Sequence, residues 1–125
     1  MAASAYPPPD APGTIYLLHF SGRTKRGQQH YLGWTSNIER RITQHRLGSG
    51  AGVTRNAVAE ELKLTVAQTW KGTPDLETRL KEWSRQGRKG FSGICPFCAG
   101  DAPLPPDVAR DLGAPTLRIR YLDSA

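Results

Sequence analysis

The stretch HYLGWTSNIERRITQHR, residues 30–46, places two arginines and a histidine just beyond a tyrosine-bearing apolar run. If this stretch is helical, Arg41 and His45 lie at i and i+4, one above the other on one face. An arginine fork can hold two oxygens of an anion, and a histidine can exchange a proton near neutral pH. Arg40 points about a hundred degrees away at helical pitch, so only Arg41 shares the histidine's face. Further on, Glu77 and Lys81 are again four apart. They make either an ordinary helical ion pair or a carboxylate able to hold a hard cation such as magnesium. Tyr16 and Tyr31 sit in separate apolar runs, and each alone reads as a core tyrosine of a small sheet.

The elements that must position these groups follow from hydrophobic pattern and turn chemistry. TIYLLHF, residues 14–20, has the composition and length of a strand, and HYLGW is its returning partner across the polar loop SGRTKRGQQ. That loop carries Arg23, Lys25 and Arg26 and is expected to project as a cationic finger. Ser36 and Glu39 have capping-box spacing ahead of a helix from Asn37 to Arg46, held down by Ile38 and Ile42 and stopped at Gly48. A short helix is expected over residues 54–61. ELKLTVAQTW then alternates, with Leu62, Leu64, Val66, Gln68 and Trp70 on one side of a third strand. Thr73 and Pro74 open a helix whose apolar face is Leu76, Leu80 and Trp83. The last element is a strand over residues 116–122. The order predicts a mixed α/β (α+β) domain: a small, largely antiparallel central sheet flanked by helices. Residues 1–13 read as a flexible Pro-rich tail, 14–90 as the domain, and 91–125 as a C-terminal extension.

With 125 residues, the chain has room for one modest core. Its net charge of +6 favours a polyanionic partner, nucleic acid first among them. No run approaches a membrane span, the N-terminus lacks a basic region followed by an apolar one, and a cytoplasmic protein is the expectation. The two cysteines, Cys95 and Cys98, form one CPFC unit. Structural zinc needs four ligands, the three histidines lie far upstream, and no second cysteine pair follows. Plain thiols or a local knuckle come first, then a zinc completed by a histidine or a second chain, then a redox pair.

The order of these pieces resembles the GIY-YIG nuclease family. TIY at 14–16 stands where the family has GIY, YLG at 31–33 where it has YIG, and GWTSNIERRITQH and LETRLKEW resemble its two later helices. Thr14 replaces the first motif glycine, with Gly13 beside it, and GRKGF stands where some members carry an asparagine. The resemblance implies a metal-dependent endonuclease hydrolysing phosphodiesters in DNA, RNA remaining open. Such hydrolysis needs a deprotonated water, charge neutralisation on the phosphate and help for the leaving oxygen. By resemblance Tyr16 activates the water, Tyr31 is its partner or a phosphate contact, Arg41 clamps the phosphate, and His45 relays the proton. Glu77 holds one Mg2+ or Mn2+. A phenolate is scarce at neutral pH, so Arg41, His45 and the metal must stabilise it, or His45 must take the proton onward. Arg23, Lys25, Arg26, Arg40, Arg46, Arg55, Arg88 and Lys89 would supply the cationic surface for the backbone, with Arg85 beside them, and Trp34 either packs or stacks on a base. The competing reading is a nucleic-acid-binding module that keeps the scaffold without the reaction. A weaker one makes the CPFC loop and final strand a docking surface for a protein partner.

Overall fold

A computed structural model describes residues 7–86, 90–98, 106–112, 115–117 and 120–121. The strands β1 (Gly13–Phe20), β2 (His30–Thr35) and β3 (Leu64–Gly72) form an antiparallel sheet in the order β2-β1-β3. Two short strands, β4 (Pro115–Leu117) and β5 (Arg120–Tyr121), also pair with β3. The final strand expected over 116–122 is therefore two pieces within the described residues. Helices α1 (Ile38–Arg46) and α2 (Gly52–Ala59) bring apolar side chains to one face of the sheet; α3 (Pro74–Gln86), α4 (Pro106–Leu112) and the 3-10 turns Gly90–Ile94 and Pro96–Cys98 serve the other.

β1 is apolar along its length because both of its faces are covered. Ile15 and Leu17 join Leu32, Trp70, Leu76 and Leu80 on the α3 side. Tyr16, Leu18 and Phe20 join Ile42, Ala57, Leu64 and Val66 on the α1–α2 side. The single alternating side expected for β3 does not hold. Leu17 pairs with Gln68 but Leu18 pairs with Val66, so Ala67 is an extra residue. That bulge turns Leu64 and Val66 to one face and Gln68 and Trp70 to the other.

Two local expectations also shift. The cap of α1 is Asn37, whose side chain accepts from the Arg40 amide, so Ser36 is not the cap. Helix α2 begins at Gly52 and ends at Ala59, two residues earlier than expected at each end. The loop exposes Arg23, Lys25 and Arg26 as expected, while its backbone is tied down: the Lys25 amide donates to Glu60, Ser21 to Lys63, and the Arg23 guanidinium to Gly27. Pro7–Pro12, in the segment read as a tail, runs past the start of α3, where the Asp75 amide donates to Pro9 at 3.0 Å. The segment read as an extension brings Ile94, Cys95, Val108 and Leu112 into the core. No described helix is long and apolar enough to cross a membrane.

Candidate active site

Strand parity decides which side chains meet. Tyr16 and Tyr31 point from neighbouring strands to the α1 face, and His45 comes down onto them from the last turn of α1. The three rings form a triangle, with centroids 6.1 Å apart for Tyr16–Tyr31, 5.5 Å for Tyr16–His45 and 5.4 Å for Tyr31–His45. Gly33 lies opposite Tyr16, and a Cβ there would be 2.5 Å from the tyrosine hydroxyl. The glycine of the YLG motif is thus the space that the Tyr16 ring occupies. Gly50 plays the same part for His45, since a Cβ at 50 would strike the Nδ1 side of its ring.

The hydrogen bonds fix the direction of a proton path. Tyr16 Oη lies 2.7 Å from His45 Nε2, and His45 Nδ1 lies 2.9 Å from Thr54 Oγ1. The Thr54 hydroxyl donates its only proton to the Ala51 carbonyl at 2.8 Å, so it can only accept from the imidazole. Nδ1 therefore carries the ring proton, assigned from this network, and Nε2 accepts from Tyr16. His45 and Thr54 are both fully buried. Burial, reinforced by the Arg41 charge, pushes the His45 pKa down to about 4, so the ring is neutral at physiological pH. Burial first, then Tyr31, raises the Tyr16 phenol well above its ordinary value; Arg41 pulls the other way and Glu77 raises it further. A free phenolate at Tyr16 is disfavoured, whereas a phenol that passes its proton to Nε2 suits this setting.

Arg41 and Glu77 reach the same neighbourhood from different helices. Both line a cleft of about 390 Å³ with Trp34, Thr35, Ser36 and Pro74, and Pro7 closes one side. Glu77 Oε2 is held by Lys81 at 3.1 Å, and Lys81 Nζ stands 6.0 Å over the Tyr31 ring. Beyond Lys81, a second groove of about 290 Å³ is lined by Tyr31, Gln28, Ser84 and Arg85. Both lie along β2, the outer strand of the sheet. The five residues singled out in the sequence thus meet in one region. Tyr16 itself is buried beneath Gly33 and is not a wall of the cleft.

Among the described residues, Glu77 is the only carboxylate lining this cleft, and its side chain is 17% exposed. That donor set fits a hard ion such as magnesium, which keeps most of its waters and needs few protein oxygens.

The surrounding cations divide. Arg40 is exposed and lines a shallow recess of about 260 Å³ with Arg41, Asn37 and Gln44. Arg46 and Arg55 are exposed on α1 and α2, and Arg85 pairs with Glu82. Arg23, Lys25 and Arg26 sit at the opposite ends of β1 and β2 from Thr35 and Ser36, so the hairpin loop does not flank the cleft. Arg88 and Lys89 lie outside the described residues. Trp34 packs against the core, and its indole donates to Gly72 at 3.0 Å.

Sequence reasoning missed Thr54, Gly50 and Lys81. Thr54 is nine residues beyond His45, and no helical or strand spacing links them until the glycine-rich turn folds α2 back onto α1. Lys81 was read only as an ion-pair partner of Glu77. Cys95 and Cys98 lie on the other side of the sheet, at the CPFC turn, close to His19 and His30.

No curated protein and no solved structure matches the chain. The family model described as the GIY-YIG catalytic domain matches residues 12–90, from the start of β1 to the end of α3 and just beyond. That family is one of endonucleases, which act on nucleic acid and generally use divalent metals. The match covers well over half of the chain, including both tyrosine strands, the Arg41–His45 helix and the Glu77 helix. By fold and by sequence, this chain belongs to the GIY-YIG family.

Proposed function

We propose that the protein is an endonuclease that hydrolyses phosphodiester bonds in DNA, using one divalent metal at Glu77 and a water activated through Tyr16. The observation that carries this reading is the directed chain from Tyr16 through His45 and Thr54 to the Ala51 carbonyl. A hydroxyl that donates to Nε2 still has lone pairs for a water. Tyr16 accepts the water's proton as its own passes to Nε2, so the phenol never has to exist as a free anion. Arg41 forks onto two oxygens of the scissile phosphate and holds it in the cleft.

The same phosphate tunes the base. Arg41 is one of the two causes that hold His45 neutral. A bound phosphodiester offsets that charge, so His45 takes a proton more readily with substrate in place than without it. Glu77 holds the metal, with Lys81 steadying the carboxylate. When bound, magnesium or manganese supplies charge neutralisation on the phosphate and help for the leaving 3′ oxygen. Tyr31, beside the Tyr16 and His45 rings and under Lys81, excludes bulk water from the relay and offers its hydroxyl to the phosphate. Arg40 and Arg85 follow the backbone on either side, which positions the nucleic acid without reading its sequence.

The test uses labelled single-stranded, duplex, flap and branched DNA, with an RNA control, in magnesium or in EDTA, beside Glu77→Ala. Cutting that needs both the metal and Glu77 is expected, with Glu77→Ala losing most of its rate but little stability. A helical i, i+4 ion pair contributes only about 0.2–0.5 kcal/mol. Tight binding without cutting of any substrate, in magnesium or manganese, would make the domain a binding module.

A further inference from the structure

On the α3 face of the sheet, four side chains from three parts of the chain converge on one point. His19 of β1 and His30 of β2 are directly opposed in the strand register. The turn Pro96–Cys98 brings Cys95 and Cys98 over them, and the four ligand atoms all lie within 4.8 Å of one another. We propose that these residues bind one zinc ion in a closed Cys2His2 site, which staples the β1–β2 hairpin to the segment after α3.

The separations carry the argument. Zn–N bonds of about 2.0–2.1 Å and Zn–S bonds of about 2.3 Å in a tetrahedron place two nitrogens about 3.3–3.4 Å apart, and a nitrogen about 3.5–3.6 Å from a sulfur. His19 Nδ1 and His30 Nε2 are 3.3 Å apart. The nitrogen–sulfur distances are 3.4 Å for His19–Cys95, 3.8 Å for His19–Cys98 and 3.4 Å for His30–Cys98. Hydrogen bonding does not account for this arrangement. His19 Nδ1 has three close neighbours, yet a neutral ring nitrogen has either one proton or one lone pair to offer. A cation at the centre serves all four at once.

The surroundings suit zinc and a structural role. Backbone N–H groups of Phe97 and Cys98 hydrogen-bond Cys95 Sγ and partly offset the burial that raises its thiol pKa. Phe97 stacks on His19 at 5.0 Å between centroids, fixing the ring that supplies Nδ1. Cys95 is fully buried, and with four protein ligands no position remains for a substrate. Two thiolates with two imidazoles favour zinc over the hard ions expected at Glu77. Tyr16 and Tyr31 belong to the other face, so this ion takes no part in the phosphodiester chemistry.

The experiment is metal analysis of the full chain purified without a metal-affinity tag, followed by X-ray absorption at the zinc edge. About one zinc per chain is expected, with equal numbers of nitrogen and sulfur ligands at the distances above. Cobalt added to the metal-free, reduced protein should give the intense visible bands of a tetrahedral dithiolate site. Cys98→Ser and His30→Ala should each lower zinc affinity at least tenfold, whereas Glu77→Ala should leave it unchanged. Failure of the reduced wild-type chain to take up zinc or cobalt would overturn the proposal. So would a two-sulfur site whose spectrum is the same in His19→Ala and His30→Ala. Because the readout is metal content and ligation, the result stands apart from whether DNA is cut.

Discussion

Thr54 offers the sharpest test of the proton path, because it touches neither the cleft nor a phosphate. Thr54→Val keeps the branched shape but removes the only acceptor for His45 Nδ1–H. Ala51 loses the hydroxyl yet still accepts from the Arg55 amide at 2.9 Å, so the damage is confined to the imidazole. A buried N–H left without a partner costs about 1–3 kcal/mol. The ring can avoid that cost by moving its proton to Nε2, where it then donates to Tyr16 and can no longer receive. If the tautomer ratio alone sets the rate, 1–3 kcal/mol corresponds to a fall in kcat of about 5- to 150-fold, at nearly constant substrate affinity. Two measurements check this: single-turnover cleavage at saturating enzyme, and nitrogen NMR of labelled histidine, which tells the protonated ring nitrogen from the bare one. Thr54→Ser should restore both. A Thr54→Val enzyme that is folded, has Nε2 protonated and cuts at the wild-type rate would refute the directed relay. Unchanged histidine shifts would show that Thr54 does not set the tautomer.

Gly33→Ala puts a methyl group onto the Tyr16 hydroxyl and should destabilise by about 1–3 kcal/mol in urea unfolding, with a cleavage defect from the displaced phenol. Unchanged stability would mean the ring moves freely and is not packed as described. Acid should also weaken the fold through His45, whose folded pKa of about 4 lies below its unfolded value of 6.5. Between these values the unfolded chain binds the proton and the folded one does not. The contribution is therefore whole above pH 6.5 and fades as pH falls towards 4, by up to about 3 kcal/mol. His45→Gln should remove that part of the slope in a pH series of unfolding midpoints, and an identical slope in the variant would count against a buried neutral imidazole.

The path from sequence to site was uneven for identifiable reasons. Arg41 and His45 were legible as neighbours because i, i+4 spacing governs α1, whereas each tyrosine alone reads as core and was singled out only by family likeness. Glu77 was legible only through family likeness, since its spacing to Lys81 is that of any helical ion pair. β3 was misread because a bulge leaves no trace in an alternating pattern, and Ala67 shows nothing of its extra place until the partner strand is known. Capping-box spacing points to Ser36, but Asn37 is an equally good cap residue one position on, and only the backbone geometry separates the two. Thr54 and the pairing of Cys95 and Cys98 with His19 and His30 depend on tertiary return of the chain, which no local rule encodes. Charge predicts the exposed cationic side chains of the hairpin loop but says nothing of the bonds that tie its backbone to Glu60 and Lys63.

The alternation of β1 and β2 has a consequence for how this protein can change over time. Tyr16 and His19 are an odd number of residues apart, as are His30 and Tyr31, so each strand supplies one group to either side of the sheet. Point substitutions can retune either side separately. A one-residue insertion or deletion between Tyr16 and His19 cannot, because it sends one of the two groups to the wrong side. Length variation along this hairpin is therefore confined to the nine residues from Ser21 to Gln29, outside the paired register. Lineages that carry both tyrosines and both histidines should differ there in loop length, while the spacing inside each strand stays frozen.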